Sequence, residues 1–357
     1  MHEASKTLVV APSPSQQAVL DGLWKLVRGW FPDAHEGPGA LVDERVWTSA
    51  VRRLADHLLG SAGLPDRHGL TPRQAETLAL LTSYDAAGSA ATTWDGHLAV
   101  VVGCGRSGTT WLERMLMSSP EAGGVDGAES FVFEQAAPLW GHLPGMGISS
   151  DHLVAGLRAF FDTVFAEALA THSPGARVFV EKTPRHALIL PQLAAVYPDA
   201  SFVHVVRDGR DVARSISQVD FFKLPDPADA ARLWQTVLEQ VRTASADLDR
   251  FREVRYEQLL AEPICRVVDL LHWLGVTIDT SVIEELERRA ERRVSTHAGT
   301  SHAVGAPTWQ ALPPRELARV YAESGGLLVR EGYATRGQLV RARCRPSYWS
   351  RALARRA

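Results

Sequence analysis

Two hydrophobic rhythms alternate along the chain. From Leu98 to Val102 five apolar residues follow one another with no polar alternation, which predicts a strand buried on both faces of a parallel sheet. A loop from Gly103 to Gly108 comes next, and then Thr109, Thr110, Trp111, Leu112, Met115 and Leu116 fall at helical spacing. The same alternation continues downstream. Helices are expected over Asp151–Leu169, His186–Val196, Ala228–Leu248 and Cys265–Leu274, the last ended by Gly275. Between them, strands are expected over Arg177–Glu181, Ser201–Val206 and Phe251–Tyr256. Asp208 is set to cap the helix after the third strand, with Asp211 three residues on in capping-box register. Strands alternating with helices predict an α/β fold, a doubly wound parallel sheet flanked by helices.

The first ninety or so residues follow the helical rhythm alone. Val19, Leu20, Leu23, Trp24 and Val27 define an amphipathic helix over Ser15–Trp30. Trp47, Val51, Leu54 and Leu58 define a second, and Thr71-Pro72-Arg73-Gln74 opens a third that runs towards Tyr84. The small, polar run Asp85–Thr93 reads as a linker. Three regions are therefore expected: a helical N-terminal extension (1–93), an α/β domain (94–335) and a basic C-terminal tail (336–357). The extension is expected to be a collar on the core, with acceptor selection or homodimerisation as alternative roles. The tail holds seven arginines beside Tyr348 and Trp349 and is expected as a solvated end. Of the aromatics in Asp151–Leu169, a core role is preferred over an acceptor pocket.

Composition narrows the picture further. The 357 residues suffice for a large core, and a net charge of -3 from 38 basic and 41 acidic residues gives no global argument for nucleic acid or an anionic membrane as partner. Cys104, Cys265 and Cys344 are three, widely spaced and without a C-x-x-C, so neither a disulfide framework nor a zinc site is indicated and a cytoplasmic location is expected. No apolar stretch approaches the length of a membrane span.

The segment Gly103–Thr110, GCGRSGTT, carries the chemistry. A glycine loop lets backbone N–H groups approach an anion closely, and the helix that follows points its positive end at the same charge. Against the triphosphate loop G-x-x-x-x-G-K-[ST], both glycines and the final hydroxyl are kept, but Thr109 stands where the lysine belongs and Arg106 lies inside the loop. Such a loop suits a shorter anion than a triphosphate. A P-loop kinase or NTPase is the alternative enzyme, and a catalytically silent nucleotide-binding scaffold the alternative of another class.

Arg106, Ser107, Gly108, Thr109, Thr110, Trp111 and Leu112 resemble the 5′-phosphosulfate loop of sulfotransferases that use 3′-phosphoadenosine 5′-phosphosulfate (PAPS). The run Ser201–Ser217, SFVHVVRDGRDVARSIS, is similar to the family's strand, loop and helix for the donor's 3′-phosphate. The resemblance spans roughly Leu98 to Tyr333 and is nearer to the tyrosylprotein and related bacterial members than to the cytosolic aryl ones. It implies a P-loop-like fold and transfer of a sulfuryl group from PAPS to a hydroxyl, leaving adenosine 3′,5′-bisphosphate, with no metal required. Arg106 and the loop hydroxyls of Ser107, Thr109 and Thr110 would hold the 5′-phosphosulfate, and Trp111 would lie near the adenine. Arg207 and Ser215, eight residues apart, would grip the 3′-phosphate, with Arg210 and Arg214 assisting and Tyr256 near the nucleotide.

Lys182, one of only four lysines in a chain that otherwise uses arginine, stands in EKTP and would act on the bridging oxygen or sulfonate. Glu129, 23 residues after Arg106, would be the general base, with Glu121, Asp126 or Glu134 as substitutes. His142 and His186 are candidates by analogy with the aryl enzymes, whereas His204, inside a strand, is expected in the core. The arginine bias with abundant Ala and Gly points to a bacterial genome, and with it a small-molecule acceptor, such as a secondary metabolite, is expected, with carbohydrate, lipid and peptidyl-tyrosine acceptors left open.

Overall fold

The computed structural model describes residues 50, 53–54, 94–127, 129–130, 133–134, 150–291 and 307–354. A five-stranded parallel sheet runs through it in the order β2-β3-β1-β4-β5, with helices flanking. Its strands are β1 (His97–Gly103), β2 (Ala122–Gly123), β3 (Val178–Glu181), β4 (Ser201–Val206) and β5 (Phe251–Arg255). From β1 the order departs to β3 on one side and to β4 on the other, which is the arrangement that opens a crevice at the strands' carboxyl ends. β1 pairs in parallel with β4 from Ala99 opposite Ser201 to Gly103 opposite Val205, and β4 with β5 from Phe202 opposite Phe251 to Val206 opposite Arg255. All six residues of β4 are buried, as the unbroken apolar run requires of a central strand.

Residues separate into two compact units: 1–97, 123–179 and 191–198 form one, and 98–122, 180–190 and 199–357 the other. In the first unit, α2 (Ser150–His172) presents Phe160, Phe161 and Phe165, all fully buried. Phe165 stacks on Phe179 with centroids 4.5 Å apart, Phe133 lies 4.1 Å from Phe161, and Trp94 meets Phe165 edge-on at 5.7 Å. Each buried ring contributes about 2–3 kcal/mol by transfer, and each close pair about 1 kcal/mol more. These rings are core. Tyr197 completes the cluster, its hydroxyl donating to Asp162 at 2.8 Å while the Arg158 guanidinium lies 4.2 Å over its ring. α3 (Leu190–Val196) carries the chain to Tyr197 and is preceded by a 3-10 turn over Pro184–Ile189, so the helix expected from His186 starts in tighter form.

In the second unit, α1 (Thr109–Leu116) follows the glycine loop, α4 (Gly209–Ser217) follows β4, and α5 (Pro227–Ala244) packs against α4. Short helices α6 (Tyr256–Ala261) and α7 (Pro263–Trp273) follow β5, and α8 (Thr280–Glu291) packs near α1. α9 (Pro314–Arg330) lies on α5, and the chain closes with α10 (Arg336–Arg343) and α11 (Pro346–Ala354). Four of these helices open on proline, whose fixed φ suits the first turn and whose missing N–H is not needed there.

The region after Tyr333 is thus helical rather than a loose end. Thr335 and Gln338 form a capping box at the start of α10, and Arg351 on α11 pairs with Glu323 at 2.5 Å and with Asp229. The expected helices over Ser15–Trp30 and Thr71–Tyr84, the linker Asp85–Thr93 and His142 lie outside the described residues. Of the second N-terminal helix, Ala50, Arg53 and Leu54 are described and helical, with Ala50 and Leu54 fully buried.

Candidate active site

The site is built where β1 and β4 end side by side. At Gly103 an added Cβ would lie 2.6 Å from the Val205 carbonyl oxygen, so glycine is what lets the loop leave β1 hard against β4. The loop turns through a bond from Ser107 N–H to the Cys104 carbonyl at 3.1 Å and through Arg106 at φ 70. A non-glycine residue in that region costs about 1 kcal/mol or more, a strain typical of ligand sites. Gly108 then stands at the helix N-cap with φ 97, and no side chain caps the first turn of α1, so its N–H groups are left for an anion. The Ser107 hydroxyl is buried and has no hydrogen-bond partner among the described residues.

From β4 the second segment meets this loop directly. Arg106 Nε donates to Ser215 Oγ on α4 at 3.0 Å, and Arg207 Nη1 donates back to the Arg106 carbonyl at 3.1 Å. Arg207 also lies 4.7 Å over the ring of Tyr256, the first residue of α6. That ring packs on the loop so closely that a Cβ on Gly108 would come within 2.3 Å of Tyr256 Cδ2. Burial raises the Tyr256 phenol above its ordinary pKa, with the Arg207 charge acting in the opposite direction, so the ring stays neutral. Five of the expected residues, Arg106, Gly108, Arg207, Ser215 and Tyr256, therefore meet in one place. Arg207 forms no ion pair among the described residues. Two guanidinium groups beside open helix N–H groups and an unpartnered hydroxyl make a site for an oxyanion. Thr109 is buried, while Thr110 and Trp111 on the same turn are half-buried.

Other expected residues divide differently. Lys182 directly follows β3 and is only 2% exposed. The neighbouring Glu181 accepts from Thr183 Oγ1 at 2.7 Å and meets His186 Nδ1 at 2.9 Å. His186 is fully buried, which removes it from any solvent-facing acid-base role. Glu129 is half-buried and belongs to the first compact unit, whereas Arg106 and Lys182 belong to the second. Among the alternatives to it, Asp126 is exposed, and Glu121 Oε2 accepts from the Thr277 N–H at 3.3 Å. His204 is 1% exposed, its Nδ1 3.2 Å from Glu253 Oε2, as a core histidine should be.

Arg210 is not a ligand-facing residue. It pairs with Asp208 at 2.6 Å, donates to the Tyr321 hydroxyl at 3.0 Å and to the Tyr333 carbonyl, and lies 3.9 Å over Trp309. Asp208 caps α4 as expected, accepting from Arg210 N–H at 2.9 Å. Asp211 does not reach back to close a capping box. Its Oδ1 accepts instead from Thr308 N–H at 2.6 Å and Trp309 N–H at 2.7 Å. Two supports of the site have no signature in the sequence pattern. The Phe222 ring packs where a Cβ of Gly105 would lie, 2.7 Å away, and Trp234 Nε1 on α5 holds the Arg207 carbonyl at 3.0 Å.

Residues 99–280 match the sulfotransferase family, and the chain belongs to it. It is accordingly a sulfotransferase-class enzyme, which sets aside the kinase and silent-scaffold alternatives. Among curated proteins it is similar to protein-tyrosine sulfotransferase 1 of Danio rerio, 26% identical over 67% of this chain and 73% of that protein. It is similar also to protein-tyrosine sulfotransferase 2 of Gallus gallus, 26% identical over 53% of this chain and 54% of that protein, about half its length. Among solved structures it resembles sulfotransferase STF9 from Mycobacterium avium, with 12% identity, a TM-score of 0.45 and coverage of 91% of this chain and 98% of that one.

These relatives correct one expectation. The cytoplasmic location drawn from the cysteine usage does not stand, because protein-tyrosine sulfotransferases are Golgi enzymes rather than cytoplasmic ones. Scattered cysteines exclude a disulfide framework but carry no address. Among the described residues no helix is long and apolar enough to cross a membrane.

Proposed function

We propose that the chain transfers a sulfuryl group from PAPS to an acceptor hydroxyl, with residues 94–335 as the catalytic domain. The observation that carries this reading is the brace between the two loops, Arg106 to Ser215 and Arg207 to the Arg106 carbonyl, beside the unpartnered Ser107 hydroxyl. These residues fit a nucleotide with two anionic ends. The α1 N–H groups, Arg106, Ser107, Thr109 and Thr110 would hold the 5′-phosphosulfate, and Arg207 and Ser215 the 3′-phosphate, with Trp111 and Tyr256 beside the nucleoside. Bound there, PAPS supplies a sulfuryl group attached to a phosphate that leaves readily.

Lys182, a compact charge with little water around it, steadies negative charge that develops on the bridging oxygen. Arg106 orients the anion to be attacked, and the resemblance alone gives Glu129 the role of taking the proton of the attacking hydroxyl. The acceptor to test first is a tyrosyl hydroxyl in a peptide, since that is the acceptor named in the curated relatives. The small-molecule acceptor expected from composition has no observation of the structure behind it.

Calorimetry with adenosine 3′,5′-bisphosphate, against ATP with and without magnesium, tests the donor. Tight, metal-independent binding of the bisphosphate is expected, and preference for magnesium ATP would overturn the assignment of both loops. Sulfation of a tyrosine peptide, followed by mass spectrometry beside a panel of small phenols, then tests the acceptor.

A further inference from the structure

Five large apolar side chains are conspicuously exposed among the described residues, and three of them crowd onto the last two helices. Val340 on α10 is 56% exposed, and Trp349 and Leu353 on α11 are 53% and 62%. Trp349 and Leu353 are four apart and share the outer face of α11, while Tyr348 turns inward and Arg351 is held by Glu323 and Asp229. On α10 the residues Arg336, Val340 and Arg343 follow at intervals of four and three and likewise share a face. Trp349 Nε1 donates to the Arg343 carbonyl at 2.8 Å, which fastens the apolar face of α11 to the basic end of α10.

The charge of this region is one-sided. Residues 336–357 contain seven arginines and no aspartate or glutamate, and with a chain net charge of -3 this leaves -10 on the residues before them. Arg336, Arg341, Arg343 and Arg345 are exposed, and none of the four forms an ion pair among the described residues. Acidic side chains are plentiful in the chain, so four unneutralised guanidinium groups around three exposed apolar side chains describe a surface made for something anionic with an apolar interior.

We infer that α10 and α11 form a docking surface for an anionic lipid bilayer. Arginines there meet lipid phosphates, and Trp349, an amphipathic ring suited to the headgroup level, enters beside Leu353 and Val340. A second copy of the chain is a poorer occupant, because a two-fold contact would set the arginines against their own images. The attachment is to the surface only, each helix being far shorter than a span. Nothing in the proposed sulfuryl transfer requires it.

The test is co-sedimentation of the full chain with phosphatidylglycerol vesicles and with phosphatidylcholine vesicles, at low and high salt. Binding to the anionic vesicles alone, weakened by salt, is expected. R336Q/R341Q/R343Q/R345Q should lower partitioning by about 10²–10³-fold, at roughly fivefold per arginine. W349S/L353S should lower it by about tenfold or more. All six positions are exposed, so the arginine variant should keep the wild-type thermal transition, and W349S/L353S, which also loses the bond to the Arg343 carbonyl, is read at a temperature below its own measured transition, which separates loss of docking from loss of folding. Absence of wild-type binding to phosphatidylglycerol, or unchanged binding of both variants, would overturn the inference. Equal binding to polyglutamate that survives W349S/L353S would also overturn it, in favour of an acidic protein. So would a concentration-dependent dimer abolished by W349S/L353S without vesicle binding.

Discussion

Gly108→Ala puts the loop's construction to a quantitative test. Alanine at φ 97 is strained by about 1–2 kcal/mol, and its Cβ would stand 2.3 Å from Cδ2 and 2.4 Å from Cε2 of Tyr256. Tyr256 is 8% exposed and has Arg207 over its ring, so it has little room to retreat, and displacing a packed side chain by about an ångström costs about 1–3 kcal/mol. The sum, about 2–5 kcal/mol, corresponds to a fall in Tm of roughly 3–7 °C for a chain of this size. Moving Tyr256 also moves Arg207, so the affinity for adenosine 3′,5′-bisphosphate should fall with it. The decisive assay is a double-mutant cycle with Tyr256→Ala, read by thermal unfolding and by calorimetry. If the contact is the cause, G108A in a Y256A background costs only the backbone strain, and the two changes couple by about 1–3 kcal/mol. Additive effects, or an alanine variant as stable as wild type, would refute the reasoning.

Three further outcomes are expected. Lys182→Ala should cost about 10²–10³-fold in kcat while leaving bisphosphate affinity within a few-fold, measured by turnover and calorimetry side by side; unchanged kcat would remove Lys182 from the chemistry. Acid should destabilise the fold in two stages. Burial, partly offset by Glu253, holds His204 below its ordinary 6.5, so the unfolded state binds more protons and stability falls as pH drops below that value. Glu253, whose burial is outweighed by hydrogen bonds and charge from His204 and Arg242, is held at about 2, so what it contributes above 4.5 is lost as pH falls towards 2. Tm measured against pH should show both stages, and His204→Asn should flatten the first; an unchanged profile in that variant would argue against it. Finally, burial pushes the Cys104 thiol up to about 12, so a thiol reagent at neutral pH should label Cys265 and Cys344 in the native protein and Cys104 only after denaturation, as peptide mapping would reveal.

What was readable beforehand depended on how local its cause was. β4 occupies Ser201–Val206 as the apolar run predicts, and β1 extends the predicted run by one residue at each end, because a strand buried on both faces writes its own boundaries. The meeting of Arg106 with Ser215 was implied by two matched segments, since a resemblance carries tertiary information that periodicity lacks. Asp211 and Arg210 were misread for the opposite reason. Their register suggested a capping box and a ligand contact, but their partners are Thr308, Trp309, Tyr321 and Tyr333, about a hundred residues away. The tail misled in the same way, because the acceptors that hold Arg351, Asp229 and Glu323, sit on α5 and α9. Composition shows seven arginines but not which of them has a carboxylate waiting.

The brace between the two loops also bears on time. Arg106, Ser215 and Arg207 hold one another through the protein's own hydrogen bonds, so under the proposed function little chain ordering is left for the moment of encounter. Under that proposal, arrival of a nucleotide with two anionic ends is governed by diffusion and by the field of the two arginines, and it should quicken at low ionic strength. Departure must break every contact in a site that does not soften first. If PAPS is the donor as proposed, residence time of the spent bisphosphate, rather than capture of fresh donor, becomes the step on which the turnover rate of such a pre-shaped site rests.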